Sequence, residues 1–520
     1  MRQNAPARSR LPFLAMNRTL PLALLTLALA SPANGQLPFL TAPSGTLRIE
    51  LGGNFYPTDE EFADGTRRSL GSPIQAANAL GAGVTGRLAD ILGRPAGPMS
   101  LGSIAANVSH QRSEGIIGLA VGVTSRLTVS ARIPIVSTRT VSMLEFDSEG
   151  SNYGVNPSVL GNSTSEQWLS QFGVALATLR ERRDAGEYND DPTRLALANQ
   201  ILTTAPQWHS AVTDLLVGDQ RAIVLPLASS ADGTDLLNQA TAYRDQLSQE
   251  LGVSAPGGAP ALPTTPMTQA AFESLREEPG GLGWGPIEEQ PITGLGDVEL
   301  RATWALFSRV NPERNSWLGA WVSGGATLPT GTPPRADRLR DIGSGDGQLD
   351  ITASGVVETG RGRFGFRAEA EYRAQQPGER TARVGLRDQF ILPANTEATL
   401  EWNPGDVLSV TARPFFRIAD RLALTGSLTW WSRGADEWTP LAGFTGDPAA
   451  VSRMGEGTKA SALIWGAGIG YIHDGSHVDG VRRMPVEAGL AIERVASSGS
   501  GLVAAPLTTR VWFRVYKKLW

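Results

Sequence analysis

The feature that most constrains this chain is an alternation of apolar and polar residues over runs of about ten, repeated along most of its length. In Arg361–Arg373, RGRFGFRAEAEYR, the residues Phe364, Phe366, Ala368, Ala370 and Tyr372 fall on one face of an extended strand. Arg363, Arg367, Glu369, Glu371 and Arg373 fall on the other. Period-2 patterning specifies a β-strand with one apolar and one polar side. A run of about 9–11 residues is also what a tilted strand needs to cross a bilayer. The same pattern occurs in Asp297–Leu306, Arg421–Arg433, Arg126–Ile135 and Val407–Ile418. Weaker versions lie at Thr46–Tyr56, Leu101–His110, Gly115–Val123, Trp317–Leu328, Gln348–Glu358, Lys459–His473 and Met484–Arg494. The last strand runs from Leu507 to Trp520 and contains Trp512, Phe513 and Tyr516.

In hydrocarbon every backbone N–H and C=O must be paired within the protein, so a membrane sheet has to close on itself. The sequence therefore predicts an all-β transmembrane antiparallel β-barrel of about 12–14 strands. A terminal aromatic on a terminal strand, here Trp520, is what such barrels present to the barrel-insertion machinery. Trp304, Trp317, Trp321, Trp430, Trp438, Trp465 and Trp512 are expected at the interfaces as girdle aromatics. Arg2, Arg8, Arg10 and Arg18 precede the apolar run Leu20–Ala30, followed by small residues at Ala28, Ala30, Ala33 and Gly35. That order is expected of a cleavable secretory signal over residues 1–35, starting at Met1 or Met16. The expected location is the outer membrane, with its lipid as the surrounding solvent.

Composition narrows the function. The chain has no Cys and only four His, which excludes disulfide, thiolate-metal and cysteine-nucleophile chemistry. A net charge of -5 with no basic arm argues against nucleic acid. No GxSxG, P-loop or dinucleotide-binding glycine pattern stands in a suitable context, so neither an enzyme nor a cofactor is expected. His473, Asp474 and His477 form a weak histidine group in a turn. Asp341, Asp346 and Asp350 are weak candidate metal ligands whose spacing is not that of an EF-hand loop.

The hairpin Gly118–Ile135 (GLAVGVTSRLTVSARIPI) resembles one found in the MetA-pathway-of-phenol-degradation family of outer-membrane proteins. So does Gly294-Leu295-Gly296-Asp297-Val298 with the strand after it, Leu328-Pro329-Thr330-Gly331 at a strand end, and Gly343–Leu349 (GSGDGQL) before the next strand. The resemblance implies a barrel that passes hydrophobic aromatic compounds. In the motifs themselves, Gly294 and Gly296 are expected to allow a bend or positive φ, and Pro329 to end a strand.

Between the two barrel portions, residues 36–139 and 291–520, the period changes to 3.6. Residues 140–290 are read as a large, mostly helical insertion, either a loop subdomain or a plug. Trp168, Phe172, Ala175, Leu176 and Leu179 form one helical face, with Ser163 and Glu166 at capping-box spacing. Further helices are expected at Leu195–Leu202, Gln207–Leu216, Asp235–Leu251 and Thr268–Glu277, with a Pro/Gly linker at Ala255–Pro266. Counting strands back from Trp520 places this insertion outside the cell. The same count leaves Thr46–Tyr56 out of phase, so that strand either lies outside the barrel or a strand is missing between 60 and 98.

On the assigned polar faces the count is thirteen arginines against six glutamates. Candidate lumen residues are Glu299, Arg301, Arg363, Arg367, Glu369, Glu371, Arg373, Arg413 and Arg417. The expectation is a net-positive lumen that prefers anionic or carboxylate-bearing solutes, or a narrow barrel in which the arginines pair with glutamates and loop carboxylates or sit at its rims. Three functions stay open: a passive channel for small solutes, a barrel anchoring a surface-interaction module, and a soluble secreted β protein.

Overall fold

The computed structural model describes residues 39–75, 83–219, 221–285, 291–473, 477–478, 481–482 and 485–520. The expected signal segment, Asp474 and the side chain of His477 lie outside the described residues. Twelve antiparallel strands close into a barrel: β1 (Thr46–Thr58), β2 (Ser103–Gly122), β3 (Leu127–Asp147), β4 (Val298–Asn311), β5 (Ser316–Leu328) and β6 (Asp350–Arg361). They continue as β7 (Phe364–Gln375), β8 (Val407–Ala419), β9 (Leu422–Arg433), β10 (Ala460–His473), β11 (Val486–Ser500) and β12 (Leu507–Lys518). Each strand pairs with its sequence neighbours, and β12 pairs with β1 through Thr46↔Lys518 to Phe55↔Thr509, which closes the ring.

Alternation settles which face looks outward. Leu51, Ile117, Val129, Leu300, Leu318, Ile351, Phe366, Val410, Leu424, Trp465, Leu490 and Phe513, one from each strand, are all exposed on the outer surface. A soluble sheet would bury such a face in a core. Here the apolar side is outside and the charged side inside, the arrangement of an outer-membrane barrel. No described helix is long and apolar enough to cross a membrane.

The connections differ sharply between the two ends. At one end β2–β3, β4–β5, β6–β7 and β8–β9 are joined by a few residues each; at the other, residues 59–102, 148–297, 329–349, 376–406 and 434–459 form long excursions. Outer-membrane barrels carry short turns on the periplasmic side and long loops outside, and the two ends take their names from that rule. The phase problem at the first strand disappears, because Leu101–His110 and Gly115–Val123 are two stretches of the single 20-residue strand β2. Likewise Arg126–Ile135 is the lower half of the 21-residue strand β3, so the insertion starts after Asp147 rather than at residue 140.

The helical insertion packs as a unit at the long-loop end of the barrel. Besides α1 (Val84–Leu92) from the first loop, it contains α2 (Thr164–Asp184), α3 (Pro192–Leu216), α4 (Ala231–Asp245) and α5 (Gln269–Glu277). The expected face of α2 is buried at Trp168, Phe172, Ala175, Leu176 and Leu179. Trp168 stacks on Phe172 at 5.1 Å, and Trp208 of α3 meets Phe172 edge-on at 5.7 Å. The capping box is not formed: Ser163 makes no cap bond, and Asn162 Oδ1 accepts Thr164 N–H instead. Leu195–Leu202 and Gln207–Leu216 are one helix running through Pro206, capped by Asp191, which accepts from Thr193 and Arg194 N–H. This core is continuous with Ile104, Ala106, Val108 and Leu144 on the extended ends of β2 and β3. The subdomain is thereby fixed to the barrel by packed apolar surface.

Candidate functional site: the barrel lumen

The polar faces of all twelve strands line an interior cavity of about 480 Å³. Seven arginines border it (Arg48, Arg132, Arg301, Arg367, Arg413, Arg510 and Arg514) together with Glu50, Glu299, Glu369 and Glu493. Most are closed into ion pairs: Arg132–Glu299 at 2.8 Å, Arg301–Glu371 at 2.7 Å, Arg510–Glu493 at 3.1 Å and Arg514–Glu50 at 2.5 Å. Arg367 binds Glu358 at 2.5 Å, with both side chains almost fully buried. Arg373, nearer the outside, approaches Asp350 at 3.5 Å and Glu371 at 3.7 Å.

The thirteen-to-six excess of arginine on the wall does not survive this placement. Arg363 is exposed in the periplasmic turn between β6 and β7, and Arg126 and Arg421 also sit in periplasmic turns. Arg433 pairs with Asp436 at the outer end of β9. Glu358, Glu114 and Asp350 join the inner face and were missed. Glu358 keeps the alternation of Thr352 and Ser354, so the signal for it was present in the sequence. Arg417 does face inward, but below the cavity, where its guanidinium lies 5.1 Å from the Trp317 ring centre and donates to Gly362 O.

The periplasmic end is filled. Glu358 accepts from Trp317 Nε1 at 3.1 Å and from Arg367 Nε at 2.8 Å, and Phe415 packs beside Trp317 at 6.1 Å. These rings pack against glycines of neighbouring strands. A Cβ on Gly360 would sit 2.0 Å from Trp317, one on Gly365 2.1 Å from Phe415, and one on Gly489 2.0 Å from Trp512. Glycine is required at those positions for close approach, not for backbone freedom. Trp317, Trp321 and Trp512 are therefore interior residues and not girdle aromatics. Trp304, Trp430 and Trp465 do face outward, and Trp438 stacks on Trp402 in a loop sheet.

The chain ahead of β1 also enters the barrel. Phe39 and Leu40 line the cavity; Arg48 donates to Phe39 O at 2.8 Å and Ala42 N–H donates to Thr128 Oγ1 at 2.8 Å. Phe39 meets Tyr516 edge-on, and Tyr516 donates to the buried Glu487. Nothing in the composition of residues 39–44 signalled this, because they carry no period.

At the outer mouth the loop 329–349 leans over the lumen. Thr140 Oγ1 donates to Arg340 O, and Arg112 reaches Gly343 O and Ser344 O from the inner faces of β3 and β2. Arg340 binds Glu61 at 2.5 Å with both groups buried, and stands 4.1 Å over Phe390. Arg68 joins Glu61 at 2.9 Å to Asp388 at 3.1 Å. Loops 59–102 and 329–349 thus meet at the Glu61 carboxylate, and loop 376–406 joins them through Asp388 on Arg68. Beside them, Asp64 accepts from Arg387 and from Gly501 N–H, and these bonds hold its carboxyl down at about 2.

The motif residues meet at this rim. Asp297 accepts Gly331 N–H at 2.8 Å and Asp346 N–H at 3.1 Å; Thr330 Oγ1 donates to Gly296 O at 2.7 Å and accepts from Val298 N–H. Ser344 Oγ donates to Leu295 O. Neither Gly294 nor Gly296 has a positive φ; a Cβ on Gly296 would lie 2.7 Å from Val136, so close approach is what it supplies. Pro329 follows the last residue of β5, as expected. Asp341, Asp346 and Asp350 do not converge. Asp341 accepts from Arg335 and Ile342 N–H, Asp346 from Gln348 N–H, and Asp350 faces Arg373. Among the described residues no group of three or more acidic or His side chains could hold a metal. Trp520 itself is exposed, its N–H and that of Leu519 directed at Gly45 O.

No family model matches this chain, and neither does any curated protein. Solved structures that resemble it are barrels. An outer membrane channel from Pseudomonas putida F1 is 9% identical, over 94% of this chain and 99% of that one, at a TM-score of 0.39. The P. putida toluene transporter TodX is 10% identical, over 92% and 91%, at 0.25. The beta domain of the Bordetella autotransporter Brka is 9% identical, over 90% and 98%, at 0.26.

Proposed function

We propose that this protein is a passive conduit for small solutes across the outer membrane, opened by withdrawal of residues 39–44 from the lumen. The observation that carries the proposal is the cavity of about 480 Å³ bordered by every barrel strand, into which Phe39 and Leu40 project. A barrel serving only as an anchor needs no space inside it, and the interior of a small barrel can be filled by side chains. Paired charges make the wall a poor solvent for a purely apolar molecule, since desolvating them costs free energy without return. A small solute with a hydrogen-bonding or anionic end suits it better. Membership of the phenol-degradation family, and with it an aromatic substrate, rests on the four motifs and stands as part of this proposal.

Liposome swelling with small neutral solutes tests the reading. Reconstituted protein should admit them slowly, and a chain lacking residues 39–44 should admit them faster. No swelling with either, in liposomes whose barrel is folded, would refute it. The apolar core packed by the helical subdomain beyond the barrel supports a second reading, a displayed binding module. Deleting residues 160–285 would abolish partner binding under that reading and leave solute flux intact under the first.

A further inference from the structure

Two charges in the lumen are left open. Among the described residues, Arg413 on β8 and Glu369 on β7 are the cavity-lining Arg and Glu for which neither a hydrogen bond nor an ion pair is formed. Each of the other lining arginines is closed: five by carboxylates, and Arg48 by the carbonyl of Phe39. The register makes the exception costly. Arg413 stands directly opposite Arg367 on the β7–β8 ladder, and like charges in that relation destabilise a sheet. Glu358 accepts from Arg367 and Trp317 and makes no bond to Arg413. Glu369 pairs in register with Thr411, one diagonal step from Arg413 on the same inner face. Long side chains reach across such a diagonal, and Glu369 is the first counter-charge acting on Arg413, yet no hydrogen bond or ion pair closes between them.

We propose that Arg413 and Glu369 form a seat in the lumen for a small carboxylate that also carries a hydroxyl or ammonium donor. Arg413 supplies the charge-assisted bonds to the carboxylate, and Glu369 accepts from the donor. The bound carboxylate also screens Arg413 from Arg367. Trp321 and Val356 border the same cavity and offer apolar surface to the body of the solute. The remaining charged groups facing Arg413 are Glu493 and Arg510, which are paired to each other. This inference rests on the conduit reading and adds a substrate class to it.

Calorimetric titration of the full chain in detergent, with 4-hydroxybenzoate, benzoate and benzyl alcohol as probes, tests it. Both acids should bind and the alcohol should not. Arg413→Gln should weaken both acids roughly ten- to a hundred-fold, the range for a lost charged hydrogen bond. Glu369→Gln should weaken 4-hydroxybenzoate and leave benzoate unchanged or tighter. Because it removes a like-charge neighbour, Arg413→Gln should also hold or raise the urea midpoint of the empty barrel. Equal binding of acid and alcohol, no binding of any probe, unchanged binding in Arg413→Gln, or a fall in its midpoint would each overturn the seat. Swelling with neutral solutes would in each of those cases still report on the conduit separately.

Discussion

Glu358→Gln is the sharpest perturbation of the barrel floor. The wild-type carboxylate receives three hydrogen bonds, one from Trp317 and two from Arg367, at 2.5–3.1 Å, and both members of the ion pair are nearly inaccessible. The amide keeps the size and one acceptor but leaves Arg367 charged, buried and facing Arg413 across the ladder. Stranding one partner of a buried pair costs about 3–5 kcal/mol. Removing both charges is a different matter, because the desolvation cost of Arg367 disappears with it. Glu358→Gln combined with Arg367→Met should therefore recover most of the loss, leaving a coupling of about 2 kcal/mol or more. Urea unfolding in detergent, followed by tryptophan fluorescence, measures all three variants against wild type. If Glu358→Gln costs under about 1 kcal/mol, the value of an exposed pair, the floor is wet and the argument for a closed lumen fails. A double variant no better than the single one would equally refute it.

Other consequences follow from single residues. Ile492→Arg places a cation on the outer face in mid-strand and should destabilise the barrel by about 2–4 kcal/mol in a bilayer, read by unfolding in vesicles. Gly489→Val should prevent folding because Trp512 occupies the space of its side chain, and Trp512→Ala in the same chain should restore the heat-modifiable band on a gel. Asp297→Ala removes two backbone bonds at the rim, so externally added protease should cut within 329–349 while the barrel stays folded. The Asp64 carboxyl is lower in the folded state than in the unfolded chain, so its contribution is present at neutral pH. It should be lost as pH falls from about 4 toward 2, seen as faster hydrogen exchange at Gly501 N–H.

Much of the fold could be read from alternation, because the bilayer imposes it: Phe366 and Arg367 cannot exchange faces without placing a cation in lipid. Alternation failed where the lipid ends. Gln111, Arg112, Ser113 and Glu114 are polar on both faces because β2 leaves the membrane there, and the one strand therefore looked like two. The side on which a tryptophan lies was also hidden. Trp317 and Trp304 both sit in alternating strands, but Trp317 faces inward, where Gly360 on the neighbouring strand leaves room for its ring. Pairing partners were out of reach for the same reason: Arg367 and Arg413 are 46 residues apart, and only the register makes them neighbours. The rim knot stands between these cases. Asp297, Thr330, Gly331 and Ser344 were visible as motifs, while their mutual hydrogen bonds required the loops to be folded together.

Single-channel recording in a planar bilayer, comparing the full chain with one lacking residues 39–44, tests the central claim most directly. The lumen account predicts mostly closed traces for the full chain and sustained openings, with weak ion preference because the wall charges are largely paired, once Phe39, Leu40 and Ala42 are gone. Silent traces from both, with each barrel shown to be folded, would contradict it.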